Sequence, residues 1–341
     1  MKKLVLLALV VITFTCTTGF TQDFPQHNEF NRERNCEFSE QLNQGGSISL
    51  TENPEQQEKP SKNFIRWIEF NVSSGMMRAA RTGHEKLLAK GVEDIGTCEL
   101  LAYVALKNAN KFNLKKDTAT LNKLMKELLS GNRENIDKYA GNKYFNYYVE
   151  AFHAVLDGII CPNTAKIIGY HPIAKGFWQS GYDDFGSTRT YGFKRRHLGH
   201  DLYGGVGTPI IATEGGVITE LGWNRYGGWR VGIRSHCTKR YYYYAHLRKD
   251  KPFPAHLSLG SEVSAGDVIG FLGNTGYSRQ PNTNMQSSKP HLHFGMQIIF
   301  DKSQEDGGGE IWIDVYQICN FLSKHKMKTV KNADGVHEAV R

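Results

Sequence analysis

The stretch GWRVGIRS, Gly228–Ser235, alternates Trp229, Val231 and Ile233 with Gly228, Arg230, Gly232 and Arg234. A period of two puts the apolar side chains on one face of an extended chain and the arginines on the other, which predicts a half-buried strand. Outward from it, YYYYAHL (Tyr241–Leu247), EVSAGDVIGFLGNTG (Glu262–Gly276) and HLHFGMQIIF (His291–Phe300) read as further short strands between Gly, Pro and Asn turns. No helix-length pattern interrupts them before Asp301, so this half is expected to be mainly antiparallel β. EIWIDVYQICNFLSKHK, Glu310–Lys326, closes it as a strand or short helix.

Upstream the period changes. In DTATLNKLMKELLSGN, Asp117–Asn132, Leu121, Leu124, Met125 and Leu128 fall at helical spacing, with Asp117 as the expected N-cap and Gly131 as the stop. NKYFNYYVEAFHAVLDG, Asn142–Gly158, repeats the design through Tyr144, Tyr148, Phe152 and Val155, and CELLAYVALKNANKF, Cys98–Phe112, is a third helix. His153 on such a helix reads as a packed or solvated histidine rather than a ligand. The expected fold class is α+β and multidomain. An apolar leader over 1–20 and a polar linker over 21–61 precede a small α-helical domain over 62–160. A β-rich domain over 165–326 and a charged tail over 327–341 complete the chain.

The leader MKKLVLLALVVITF has two lysines and then a run of about eleven mostly apolar residues, the profile of a secretory signal. It is short for a membrane span, which needs ~20 apolar residues, and no other segment qualifies. Export is therefore expected. Cys16 offers a lipid-anchor site, but the preceding Thr13-Phe14-Thr15 is a poor lipobox. The linker is rich in Gln, Asn and Glu and holds too little apolar surface to offset the entropy of ordering. The net charge of +8 favours anionic surroundings, a membrane surface or an acidic wall polymer. Nucleic acid is not expected, since the basic residues are scattered and no nucleic-acid-binding motif organises them. The cysteines beyond Cys16 are widely spaced, without a CxxC pair. They argue against a disulfide framework and a thiolate metal site, although one bridge stays open, and they read as small buried hydrophobes.

Chemistry enters with RRHLGHDLYGG, Arg195–Gly205, where two histidines and an aspartate crowd together. Hydrolytic zinc takes three ligands from His and carboxylate and leaves a fourth position open. In an extended stretch His197 and Asp201 share a face, with Gly199 leaving room between them and His200 facing elsewhere. His291 and His293 share one face of a strand, and His246 shares a side with Tyr244. The chain has 13 histidines, so HxxxD or HxH alone says little; their combination in one β-rich domain says much more.

At these residues the chain resembles the lysostaphin-like, LytM-type zinc endopeptidases of bacterial cell walls, over about 181–300. The blocks HLGHD, GTPIIATEGGVI, YYYAHL, GDVIGFLGNTG and PHLHFGMQ stand in that family's order. YGFKRRHLGHDL and GWNRYGGWRVGIRS are similar to the subgroup of clostridial relatives, in which a helical domain precedes the peptidase. The resemblance implies a zinc held by His197, Asp201 and His293, with His246 and His291 as catalytic histidines. It implies hydrolysis of peptidoglycan stem or bridge peptides, either glycyl-glycine bridges or D-alanyl–diaminopimelate crosslinks. The alternative is a non-catalytic wall-binding or hydrolase-activating scaffold, but such relatives typically have lost ligands and no key position departs here. His200 reads as a supporting or surface group, Tyr242 and Tyr244 as strand packers. His171, His236 and His256 match no functional block.

Overall fold

Asn113, not Asp117, caps the helix read from Leu121–Leu128. The helix runs over Leu114–Leu129, with the Asn113 side chain accepting from Lys116 N. Asp117 is turned inward, 1% exposed, and accepts from the Asn113 backbone N–H at 2.6 Å and from the Asn108 amide. Both residue types suit a cap, and the apolar Leu114 between them already belongs to the helix. Gly131, at φ 89°, ends it as expected.

The computed structural model describes residues 65–190, 194–237, 239–286, 288–300, 304 and 309–340. The leader, the linker and Cys16 lie outside these residues. The helices are α1 Ser74–Leu88, α2 Thr97–Lys107, α3 Leu114–Leu129, α4 Glu134–Asp137, α5 Lys143–Leu156 and α6 Tyr316–Leu322. None is long and apolar enough to cross a membrane. In α5 the buried residues are Phe145, Phe152, Val155 and Leu156, whereas Tyr144 is 52% exposed, so the apolar stripe starts one residue later than the spacing suggested.

A largely antiparallel sheet follows the first five helices. Its principal strands are β5 His200–Gly204, β7 Gly216–Asn224, β8 Gly228–Ser235, β9 Arg240–Ala245, β12 His291–Ile298 and β13 Glu310–Ile313. The short β2 Gln179–Ser180 and β10 Glu262–Val263 pair with β5 and β7, and β6 Pro209–Ile211 pairs separately with β11 Val268–Phe271. Strands β12, β9, β8 and β7 lie side by side, and β5 and β13 follow one another along the other edge of β12. The first strand of the fold, β1 Ile65–Ile68, pairs in parallel with β13. Val231 and Ile233 of β8 are fully buried. They belong to one apolar core that runs from Phe70 through the helices to Leu322. Glu310–Lys326 yields both alternatives, β13 and then α6. The charged segment after Met327 forms a hairpin of β14 Thr329–Lys331 and β15 His337–Ala339, with Val336 and Ala339 packed beside Val268 and Phe271.

Helices and sheet are joined by a polar contact that periodicity does not reveal. Arg240, 2% exposed, makes a two-pronged ion pair with Glu214 through Nε and Nη2 at 2.8 and 2.9 Å. Its Nη1 donates to the Ala154 carbonyl at the end of α5. Tyr242 Oη donates to Glu214 Oε2 at 2.9 Å. Gly158 lies so close that a Cβ there would stand 2.1 Å from Glu214 Oε2. The described cysteines, Cys98, Cys161, Cys237 and Cys319, form no disulfide.

Candidate metal centre and cleft

Asp201 on β5 and His293 on β12 are directly opposed across an antiparallel pair, so their side chains leave the sheet on the same face. His291, two residues before His293, shares that face and lies opposite Tyr203, with rings 5.5 Å apart. His197 arrives differently from the expectation. It precedes the strand, after the short hairpin of β3 Thr188–Thr190 and β4 Lys194–Arg196, and the chain bends at Gly199 before β5 begins. That bend, rather than strand alternation, returns His197 to Asp201. Gly199 is where the backbone passes the His293 ring: a Cβ there would stand 2.6 Å from His293 Nε2 and 2.7 Å from the Phe294 carbonyl.

Three ligand-type atoms meet as a result. His197 Nε2 lies 2.9 Å from Asp201 Oδ1 and 3.1 Å from His293 Nδ1, and His293 Nδ1 lies 3.0 Å from Asp201 Oδ1. Two imidazole nitrogens this close repel, by lone pairs or by hydrogens, unless a cation or a shared proton stands between them. Two neutral nitrogens and one carboxylate oxygen are a donor set that suits zinc. Spreading them to tetrahedral separations of about 3.3 Å needs only small side-chain adjustments. The residues fit the metal.

Further groups back the cluster. Asp184 Oδ1 lies 3.0 Å from His197 Nδ1. Arg189 Nη2 donates to Asp201 Oδ2 at 3.0 Å and pairs with Asp184. Burial opposes charge on His197, yet Asp184 and Asp201 together outweigh it and lift its imidazole to about 9. Burial likewise penalises the Asp201 carboxylate, and hydrogen bonds from His197 and His293 more than reverse this, holding it well below the usual carboxylate range. Burial pulls His293 below the ordinary histidine value, helped by the charge of His197. No sequence pattern marks Asp184 or Arg189; GYDDFG and STRTYG have neither periodicity nor motif.

His246 corrects a second expectation. It does not share a side with Tyr244, because β9 stops at Ala245 and His246 takes φ 61°, in the left-handed region. The turn carries its ring to 4.8 Å from that of His291 and 6.0 Å from that of His293. A β-carbon-bearing residue held there stores about 1–3 kcal/mol of strain, a feature that clusters at active sites. His246 Nδ1 donates to the Thr275 carbonyl at 2.8 Å, and His291 Nδ1 to the Lys289 carbonyl at 2.7 Å. Both rings therefore keep Nε2 free of its proton when neutral. Burial first, then His291 and His293 nearby, hold His246 well below its usual titration range.

The remaining histidines and tyrosines stand apart. His200, one residue before Asp201, is buried against the Tyr316 ring at 5.1 Å, and burial pushes it down to about 4. Tyr242 and Tyr244 are fully buried, one bound to Glu214 and the other accepting from Thr213 N, and neither reaches the site. His171 is buried, whereas His236 and His256 are exposed. The five candidate side chains line one open cleft of about 650 Å³. Its walls carry Trp178, Tyr182, Tyr203 and Tyr277 together with Arg195 and Lys289; Trp178 is 69% and Tyr182 58% exposed.

A mainly antiparallel sheet bearing a His/Asp/His donor set, with two more imidazoles beside it in an open cleft, is the architecture of a metallopeptidase centre. Residues 195–306 match Peptidase family M23, and the chain carries a domain of that family, of the LytM/lysostaphin type, whose metal is zinc. The chain is 40% identical over 112 residues to the L-Ala–D-Glu endopeptidase of Bacillus subtilis, covering 33% of this chain and 32% of that protein. It is 36% identical over 103 residues to lysostaphin of Staphylococcus simulans, covering 30% and 18%. The chain thus spans a third or less of the length of these relatives. A crystal structure of a proposed glycyl-glycine endopeptidase, lytM, from Ruminococcus gnavus shares the fold with TM-score 0.53 at 24% identity, covering 76% of this chain and 91% of the other.

Proposed function

We propose that this protein is an exported, zinc-dependent endopeptidase that hydrolyses peptide crosslinks of bacterial peptidoglycan. One observation carries the reading: His197 Nε2, Asp201 Oδ1 and His293 Nδ1 converge to within 2.9–3.1 Å of one another, with His246 and His291 beside them. Relatives named as an L-Ala–D-Glu endopeptidase, lysostaphin and a glycyl-glycine endopeptidase supply the substrate class. The apolar, lysine-headed leader supports export.

Zinc held by His197, Asp201 and His293 would polarise a scissile carbonyl and acidify a water. Amide hydrolysis also needs two proton transfers, one from the attacking water and one to the departing nitrogen. His246 and His291 suit these transfers: each has Nδ1 pinned to a carbonyl, which leaves Nε2 to take a proton and give it back. Asp184 and Arg189 orient His197 and Asp201. The exposed Trp178 and Tyr182 offer flat apolar ledges for a peptide, and Arg195 and Lys289 suit the free carboxylates of stem peptides. The basic surface implied by a net charge of +8 suits anionic wall polymers as well. A wall-binding scaffold without activity has no need of all five polar side chains in one cleft.

The test is digestion of purified peptidoglycan by the full-length protein, stripped of metal and then reloaded with zinc, with released peptides sequenced by mass spectrometry. Release that depends on zinc and stops in His291→Ala is the expected result. Intact walls after incubation with the fully zinc-loaded protein would overturn the reading.

A further inference from the structure

A second group of ligand-type side chains lies away from the cleft, between the first turn of α2 and the end of α5. Cys98 Sγ, a ring nitrogen of His153 and a carboxylate oxygen of Asp157 all lie within 4.8 Å of one another. His153 Nδ1 is 2.7 Å from Asp157 Oδ1, and its other nitrogen, Nε2, is 3.1 Å from Glu99 Oε1. Cys98 is 5% exposed and forms no disulfide. These side chains border a cavity of about 10 Å³, room for about one water-sized body.

We propose that Cys98, His153 and Asp157 form a second divalent-metal site of the zinc class, with Glu99 orienting the His153 ring. The donor set is one thiolate, one imidazole and one carboxylate, a mixture that selects zinc over the hard, oxygen-preferring cations. Bonds of about 2.0–2.3 Å in a tetrahedron separate ligand atoms by about 3.3–3.6 Å. His153 and Asp157 stand somewhat closer than this, at 2.7 Å, and Cys98 Sγ lies within 4.8 Å of both. Binding displaces the thiol hydrogen and the proton shared between His153 and Asp157, so the ligands enter as thiolate, neutral imidazole and carboxylate.

The peptidase centre provides an internal comparison. There His197 turns one nitrogen to the carboxylate Asp201 and has the carboxylate Asp184 beside the other. His153 is held in the same way, with Asp157 on one nitrogen and Glu99 on the other, an arrangement that fixes the tautomer and ring direction of a metal-bound histidine. Helix electrostatics point the same way. Asp157 is the C-cap of α5, where the partial negative charge of the last carbonyls disfavours a carboxylate unless a cation faces it. Cys98 is the second residue of α2; burial pushes its thiol up to about 11, although His153 beside it works the other way, so it is a bound cation that would hold it as the thiolate. A Cys–His–carboxylate group also serves thiol catalysis, but a buried sulfur beside a cavity of this size admits no peptide. The ion would staple α2 to α5 one turn from Ala154, whose carbonyl anchors Arg240 of the sheet. Under this proposal Cys98, buried as the sequence reading expects, would also serve as a ligand.

The test uses the full-length protein reconstituted with cobalt(II) after metal removal. The peptidase centre offers only nitrogen and oxygen, so a sulfur-to-cobalt charge-transfer band in the near ultraviolet reports the second site alone. Expected are a second cobalt per chain and this band in the wild type. Cys98→Ser should lose the band and one ion, while Asp201→Asn should lose the other ion and keep the band. Absence of the band in the cobalt-saturated wild type, or its survival in Cys98→Ser, overturns the proposal. If Cys98→Ser does not fold, Asp157→Asn and the wild-type spectrum decide. The band is indifferent to whether the protein cleaves peptidoglycan, so failure here and failure of the peptidase reading are separable.

Discussion

His246 and His291 stand with their rings 4.8 Å apart, and each gives its Nδ1 hydrogen to a main-chain carbonyl, Thr275 at 2.8 Å and Lys289 at 2.7 Å. The backbone thus fixes the tautomer of both, and both Nε2 atoms are available for proton transfer. Replacing either with alanine should lower kcat by about 10²–10⁴-fold, the usual worth of a placed acid or base. Zinc content should be unchanged, because neither ring is among the three converging donors. The double variant should be little worse than the worse single, since groups that act as a unit are not additive. Steady-state rates on a defined muropeptide, with metal analysis alongside, check this. Loss of zinc together with activity would reassign the two histidines as ligands.

Asp184 acts through His197. Its Oδ1 lies 3.0 Å from Nδ1, and Asp184→Asn removes the charge that favours an electron-rich ring. Zinc affinity, read by competition with a chromophoric chelator, should fall about 10–100-fold. At saturating zinc most of the kcat should return. A variant that binds zinc normally but stays inactive would place Asp184 on the substrate instead.

Much of this architecture is legible in the sequence, and the gaps have physical reasons. Gly228–Ser235 and His291–Ile298 show their period because Val231, Ile233, Leu292, Phe294, Met296 and Ile298 are buried, whereas Arg230, Arg234, His293 and Gln297 at alternate positions are only partly so. Leu121, Leu124, Met125 and Leu128 show theirs for the same reason. Periodicity is blind to a residue that leaves its strand, so it puts His246 on the face of Tyr244, whereas the φ of 61° turns the residue away. It is equally blind to partners joined only by folding: Glu214 and Arg240, Asp184 and His197, or β1 and β13. Cys98 and His153 each look ordinary alone, and only the packing of α2 on α5 brings them together.

Gly199 tests how tightly the centre is built. The Cβ of Gly199→Ala would stand 2.6 Å from His293 Nε2 and 2.7 Å from the Phe294 carbonyl, so ring or backbone must move. Overpacking of this kind costs about 1–3 kcal/mol. Because the displaced ring is a donor, zinc affinity should fall as well as thermal stability. Unaltered zinc binding in a stably folded Gly199→Ala protein would show that His293 has more freedom than its surroundings suggest.

The Glu214–Arg240 pair should dominate the stability of the junction between helices and sheet. Glu214→Gln leaves a nearly fully buried guanidinium without its counter-charge, which should cost about 3–5 kcal/mol. Glu214→Leu combined with Arg240→Met removes both charges and should cost much less than either single change. Denaturant melts of Glu214→Leu, Arg240→Met and the double variant measure the coupling. Additive losses would mean that the pair contributes through packing rather than charge.

Asp314 should make the fold less stable as pH rises. It is 8% exposed, and burial, followed by the nearby charges of Asp183, Glu69 and Asp184, pushes its carboxyl up to about 7 despite a hydrogen bond from Tyr316 N. In the unfolded chain the same group ionises near 3.8. Between those values the native state holds a proton that the unfolded state has lost, so stability declines as pH climbs from about 4 to about 7 and is flat above. A difference of about three pKa units corresponds to about 4 kcal/mol. Asp314→Asn keeps the acceptor for Tyr316 N and cannot ionise. It should match the wild type near pH 4 and exceed it by up to about 4 kcal/mol at pH 8. Urea melts at both pH values settle the matter, and a gap between the two proteins that does not widen with pH would mean that Asp314 is ionised in the native state at neutrality.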